Sequence, residues 1–137
     1  MSAIDPARAI IAGRLLGSPV ARAIGLDLES VETGLVRLRL PFAETNVTDG
    51  SMVHGGVIAT LADVAAVAAA VSSAREPPEG GATSSLAISY LAPAKGCALV
   101  ATARTLRSGA RQHVVRVEIA CDAQRPIAEA LVTVVLA

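Results

Sequence analysis

Hydrophobic and polar positions along the chain fall into three regimes. Between residues 5 and 16, Ile10, Ile11 and Leu15 recur at helical spacing behind Asp5-Pro6, a dipeptide suited to an N-cap followed by proline at the first helical position. Gly17-Ser18-Pro19 ends the pattern, so a short helix is predicted over 5–17. From Ile24 the period changes to two. Ile24, Leu26 and Leu28 alternate with Gly25, Asp27 and Glu29; past the Glu32-Thr33-Gly34 turn, Val36, Leu38 and Leu40 alternate with Arg37 and Arg39. That pattern predicts a hairpin with one face buried and one wet. Pro41 closes it, and a polar loop, AETNVTDGSM, follows.

The third regime opens with VHGGVIATLADVAAVAAA, residues 53–70. From 57 to 71 every position is apolar except Thr60 and Asp63. A helix over about 54–74 is predicted, roughly 30 Å long at ~1.5 Å per residue. Being apolar nearly all round, it belongs inside the protein. REPPEGG breaks it, and four strand-like segments follow at 83–91, 98–106, 112–121 and 127–136, separated by APAKG, RSGAR and DAQRP. Antiparallel strands can bury a single helix only by curling around it. The fold class is therefore α+β, an antiparallel sheet curled around one long central helix. Seven of the fifteen residues from 57 to 71 are alanine, which lets the sheet or another helix approach closely. No repeat or linker divides the 137 residues, so 1–137 reads as one domain.

Composition narrows the function classes. The chain has 12 basic and 12 acidic residues and no block of like charge, which argues against nucleic-acid binding. Phe42 and Tyr90 are its only aromatic residues, so a base-stacking platform is nearly excluded. MSAIDPARAI lacks the basic and apolar regions of a leader. The longest unbroken apolar run, 64–71, falls short of the ~18 residues of a membrane span; no membrane partner is expected and the location expected is cytoplasmic. Cys97 and Cys121 stand far apart, without a CxxC or a histidine at ligand spacing, so they are expected reduced and no metal site is argued.

Asp63 then needs a reason. An unpaired carboxylate inside such a helix costs several kcal/mol, and aspartate is a poor residue for a helix interior. Either structural partners satisfy it, or a site needs it. Gly55 sits at the helix N-terminus, where free N–H groups and the positive dipole end favour an anionic oxygen. Eight residues separate Gly55 from Asp63, or ~12 Å along one helix. A reacting carbonyl needs donor and base both within about 3–4 Å. One chain cannot supply both, whereas two copies crossing antiparallel at Ala59 could. An active site here thus requires at least a homodimer with two symmetric sites. His54, nine residues before Asp63, points roughly 180° away and forms no dyad with it. Ser51 has no base oriented toward it.

HGGVIATLAD resembles the signature of the hotdog-fold acyl-CoA thioesterases of the phenylacetate-degradation (PaaI-like) group. There an HGG opens the central helix and an acid follows nine residues after the His, here His54, Gly55, Gly56 and Asp63. ISYLAPAKG, TLRSGARQHVVRVEI and IAEALVTVVL are similar to that family's closing strands, so the resemblance covers about 24–136. It implies hydrolysis of an acyl-CoA thioester to a free acid and coenzyme A. Asp63 would act as general base or nucleophile, Gly55 N–H would polarise the carbonyl, and His54 would shape the site. No cofactor is implied beyond coenzyme A as part of the substrate. A homodimer or homotetramer with shared sites is also implied. Thr83 matches a Ser/Thr that orients the water. The family usually places Asn or Gln six residues before the His to hold the carbonyl. Position 48 here is Thr, leaving Asn46, Thr48 or Asp49 for that place, with Asn46 favoured. The turn Arg107-Ser108-Gly109-Ala110-Arg111 suits the phosphates of coenzyme A. The alternatives are a hotdog enoyl-thioester hydratase or dehydratase, and a non-catalytic acyl-CoA-binding module.

Overall fold

The structure, a computed structural model, describes residues 4–121 and 124–137; of the expected turn DAQRP, positions 122 and 123 lie outside the described residues. Helix α1 (Asp5–Ile10) carries its proline in the first turn, where a missing N–H costs nothing. It continues into a single π turn, Ile11–Leu15, closed by the Leu16 N–H to the Ile11 carbonyl at 2.9 Å. A π turn inserts a residue and so shifts which side chains share a face. Ile11 is fully buried, whereas Ile10, Arg14 and Leu15 face a cleft. A Cβ at Gly17 would collide with the Gly13 carbonyl, so the exit from this turn needs glycine.

Ser18-Pro19, read from the sequence as a stop, is also a start. The Ser18 hydroxyl accepts from the Ala21 N–H at 3.4 Å and Pro19 opens a second helix, α2 (Pro19–Ile24). Gly25, left-handed at φ 86°, ends it. Ile24 therefore belongs to a helix, not to the first strand. The hairpin proper is β1 (Asp27–Glu32) with β2 (Leu35–Leu40), with a bulge between Leu28 and Ser30 that breaks the strict alternation. The polar loop is more ordered than its composition suggests. It holds one 3₁₀ turn (Glu44–Asn46) and a small hairpin, β3 (Val47–Asp49) with β4 (Met52–Val53).

Helix α3 spans Gly55–Ser73, and β5 (Gly81–Tyr90), β6 (Leu99–Ser108), β7 (Gln112–Cys121) and β8 (Pro126–Leu136) complete the sheet. The strands run antiparallel in the order β1-β2-β6-β7-β8-β5. Only β6-β7-β8 is a simple meander. The loop 74–80 carries the chain to the far edge, so among the described residues β5 pairs with β8 alone.

The core is the interface between α3 and one face of this sheet. Leu61, Ala62, Ala65, Ala66 and Ala69 are fully buried, opposite Val36, Leu38, Ala101, Val115, Val117 and Val132. Strand β7 shows the cause: His113, Val115, Val117, Ile119 and Cys121 point inward while Arg116 and Glu118 point out. Burying Leu61 contributes about 1.5–3 kcal/mol; replacing one of the facing alanines by leucine would overpack the contact at about 1–3 kcal/mol. Ser72 fixes the helix end, accepting from the Gly34 N–H (3.0 Å) and donating to the Ala69 carbonyl (2.7 Å). α3 is long and apolar enough by composition to cross a membrane, yet 56% of that window is buried here. It is the helix the sheet wraps.

Candidate active site

The stripe of α3 turned away from the sheet holds Ala59, Thr60, Asp63, Val64 and Val67, all half-buried. Asp63 is the only charge on it. Its Oδ1 accepts from the Thr83 hydroxyl at 2.5 Å, and Oδ2 has no partner among the described residues. The local cause lies in β5, where a bulge between Thr83 and Ser85 re-aims the strand at that point. Asp63 and Thr83 line one end of a cleft of about 450 Å³ whose other walls are mainly aliphatic, from α3, the N-terminal helix and Leu136. The aspartate that looked misplaced in the sequence thus has one hydroxyl partner and stands on the wall of a mainly aliphatic cleft.

The start of α3 is a second, separate arrangement. His54 is the N-cap: its Nδ1 accepts from the Gly56 N–H at 2.8 Å. A Cβ at residue 56 would sit 2.9 Å from that ring, so Gly56 leaves room for the cap. The Gly55 N–H has no acceptor among the described residues and remains the free donor at the positive end of the helix. The Gly55 carbonyl accepts from the Tyr90 hydroxyl at 2.6 Å, and the Tyr90 ring lies against Cα of Gly55, 50% exposed. Tyr90 was not singled out from the sequence for any role at the site. As one of two aromatics, at a strand end, it gave only a weak signal.

Asn46, favoured from the sequence to hold a substrate carbonyl, is bonded within its own chain. It is 5% exposed, its Nδ2 donates to the Ile24 carbonyl at 2.8 Å, and its own carbonyl accepts from the His54 N–H at 2.8 Å. The side chain therefore pins the loop to the end of α2. Thr48, on β3, instead shares a cleft of about 380 Å³ with Gly55 and Tyr90; Asp49 is exposed beyond it.

The β6–β7 turn lies elsewhere. Arg107, Ser108 and Arg111 are exposed and Gly109 donates to the Gln112 carbonyl at 2.9 Å. Ser108 contacts the last turn of α3 through the Ser73 carbonyl (3.4 Å) and the buried His113 through Nδ1 (3.0 Å). Burial holds the His113 pKa below the ordinary histidine value. Ten residues of helix, about 15 Å, separate Ser73 from Asp63. Cys121 is a buried free thiol. Among the described residues, no three His, Cys, Asp or Glu side chains are grouped to hold a metal ion.

One antiparallel sheet wrapped on a single long helix, with a glycine-opened N-terminus and an acid two turns on, defines the hotdog class of thioester-processing proteins. The Thioesterase superfamily profile matches residues 50–128. The medium/long-chain acyl-CoA thioesterase YigI of Salmonella typhimurium is 35% identical over 130 residues, covering 84% of this chain and 83% of that protein. Among solved structures, the PaaI protein of the Escherichia coli phenylacetic acid degradation operon superposes with a TM-score of 0.87 at 23% identity, over 99% of this chain and 96% of that one. A hypothetical thioesterase protein of Streptococcus pneumoniae solved with coenzyme A superposes at 0.77 and 21% identity, over 86% and 91%. The chain belongs to the thioesterase superfamily, and it is a thioester hydrolase.

Proposed function

We propose that the chain hydrolyses acyl-CoA thioesters at a site built by two subunits, Asp63 and Thr83 from one and Gly55 from the other. The observation that carries this reading is the separation of the two arrangements within one chain. Asp63 is bonded to Thr83, Gly55 is bonded to Tyr90, and both partners belong to β5. β5 is a ten-residue edge strand with no partner on its outer side among the described residues, the kind of edge that proteins cover. A twofold pairing of β5 with its copy, centred on Ala87, sets Tyr90 opposite the bulge that carries Thr83. The same twofold axis sets Asp63 opposite Gly55, with the two α3 helices crossing at Ala59. Strand register and helix spacing both support this arrangement.

In that arrangement the free Oδ2 of Asp63 accepts a proton from water, and the water oxygen attacks the thioester carbon. Thr83 holds the carboxylate. The partner's Gly55 N–H donates to the carbonyl oxygen as negative charge develops there. Collapse breaks the C–S bond, and the thiolate takes up the proton. Attack by the carboxylate itself, giving an anhydride, uses the same atoms. This chemistry asks for no group beyond the chain, water and substrate. His54 caps the helix that carries the donor, Thr48 stands beside it, and Arg107 and Arg111 are the cations on offer to coenzyme A phosphates.

The test is thiol release from a panel of acyl-CoAs by the wild type, Asp63→Asn and Asp63→Ala. Asparagine keeps the shape and cannot take the proton, so kcat/KM should fall about 10²–10⁴-fold with little change in melting temperature. Hydrolysis at the wild-type rate by both variants would remove Asp63 from the chemistry. Hydration of enoyl-CoA without thiol release would transfer the protein to the hydratase class, and binding without turnover to the non-catalytic one.

A further inference from the structure

The cleft that begins at Asp63 does not stop there. It follows α3 past Val64 and Val67 to Val71, with Leu15 on one side and Leu136 on the other. Across its far end the N-terminal helix is strapped to the loop 74–80 by one bond, from the Arg14 guanidinium to the Glu79 carbonyl at 2.7 Å. The π turn makes this possible, because it places Arg14 and Leu15 over the cleft while Ile11 stays in the core.

Resting on the thioesterase reading above, we propose that this cleft holds the acyl chain and that Val67, Val71 and the Arg14 strap set the chain length it accepts. Asp63 and Val71 are eight residues apart on one helix, about 12 Å. An extended hydrocarbon advances about 1.3 Å per carbon along its ~1.5 Å bonds, so a chain starting at the reacting carbonyl meets the strap at about eight to ten carbons. The alternative tenant, the pantetheine arm, carries amides, but the α3 wall of Val64, Val67 and Val71 has no hydrogen-bonding side chain, and Arg14 and Ser18 on the cleft already bond the Glu79 and Leu15 carbonyls. A hydrocarbon needs none. At about 450 Å³ the cleft is also within the size range of ligand pockets.

The profile of kcat/KM against acyl length tests this. For the wild type it should rise about three- to fourfold per methylene from butyryl- to octanoyl-CoA and peak at eight to ten carbons. Val67→Phe, at a half-buried position, should lower the decanoyl-to-butyryl ratio at least tenfold. Arg14→Ala, which removes one exposed side chain and its single bond, should raise the dodecanoyl-to-decanoyl ratio severalfold. A flat wild-type profile overturns the proposal while leaving the thioesterase standing. So does a Val67→Phe protein that melts like the wild type and keeps its ratio. If Val67→Phe does not fold, an unchanged ratio in Arg14→Ala decides against it. A wild type that releases no thiol from any acyl-CoA overturns the thioesterase reading itself, and this assignment with it.

Discussion

Asp63–Thr83 and Gly55–Tyr90 are the same kind of contact made twice. In each, a hydroxyl from β5 donates to an oxygen of α3, at 2.5 Å and 2.6 Å. What each leaves free is opposite. The first leaves a carboxylate oxygen at the edge of an apolar cleft, an acceptor for a proton. The second leaves a backbone N–H at a helix N-terminus, a donor for an anion. Water attacking a thioester needs both, and one chain holds them ~12 Å apart. In the proposed dimer the chemistry is divided between two places instead of assembled in one, and a second copy supplies the missing half to each.

Removing the donor while keeping the helix breaks the comparison most directly. Proline is tolerated at the first helical position and has no N–H. His54 already has φ −61° and ψ 133°, the extended conformation a residue before proline prefers. A Cβ at residue 55 would lie 3.5 Å from Tyr90, an ordinary contact. Gly55→Pro should therefore fold and lose about 10²–10³ in kcat. Mixed one to one with Asp63→Ala by unfolding and refolding together, it should regain about a quarter of wild-type activity. Half the dimers are then mixed, and each of those has one intact site of two. Recovery of nothing, with mixed dimers demonstrated by mass, would place both groups in one chain's site.

The two hydroxyls should differ in what their loss does. Thr83→Val removes the partner of the carboxylate proposed to react, so kcat should fall about tenfold, with Thr83→Ser recovering most of it. Tyr90→Phe removes a bond to a carbonyl that takes no part in the reaction. It should cost about 1 kcal/mol of stability and change kcat only a few-fold. Steady-state rates and thermal melts on the same three proteins decide. Equal losses of kcat would erase the distinction between a group that holds the base and one that holds the helix.

Much of this frame was legible in the sequence, and the reason is periodicity. β7 (Gln112–Cys121) alternates so regularly that the expected and observed ends coincide, and the apolar run from Val57 could only be a core helix. Residues whose role depends on a distant partner were not legible. Nothing near Asn46 in sequence says that its amide will bond Ile24, 22 positions earlier. Ser18-Pro19 ends one helix and begins another, and the dipeptide has the same chemistry in both roles. Strand order was equally hidden, since β5 beside β8 is settled by how the loop 74–80 crosses the fold. Yet that order is what leaves β5 at an edge. His54 shows the intermediate case: its spacing excluded a dyad with Asp63, and only the folded chain shows its Nδ1 capping the helix.

A third hydroxyl contact, at the other end of α3, sets the scale for a contact with neither free group beside it. Ser108 meets His113 Nδ1 at 3.0 Å, and His113 is 1% exposed. Burial holds its pKa below 6.5. Above pH 6.5 the ring is neutral in folded and unfolded chains alike, so its contribution is constant. As pH falls below 6.5 the unfolded chain takes up a proton that the folded ring resists, and stability is lost toward the folded pKa. The drop in melting temperature from pH 7.5 to 5.5 should therefore be larger for the wild type than for His113→Asn, which keeps a polar atom near Ser108 and cannot titrate. Arg75 and Glu76, which share the neighbouring cleft, are present in both proteins and cancel in the difference. Equal slopes, or a wild type that gains stability in acid relative to the variant, would show that His113 is not the group whose burial the acid limb reports.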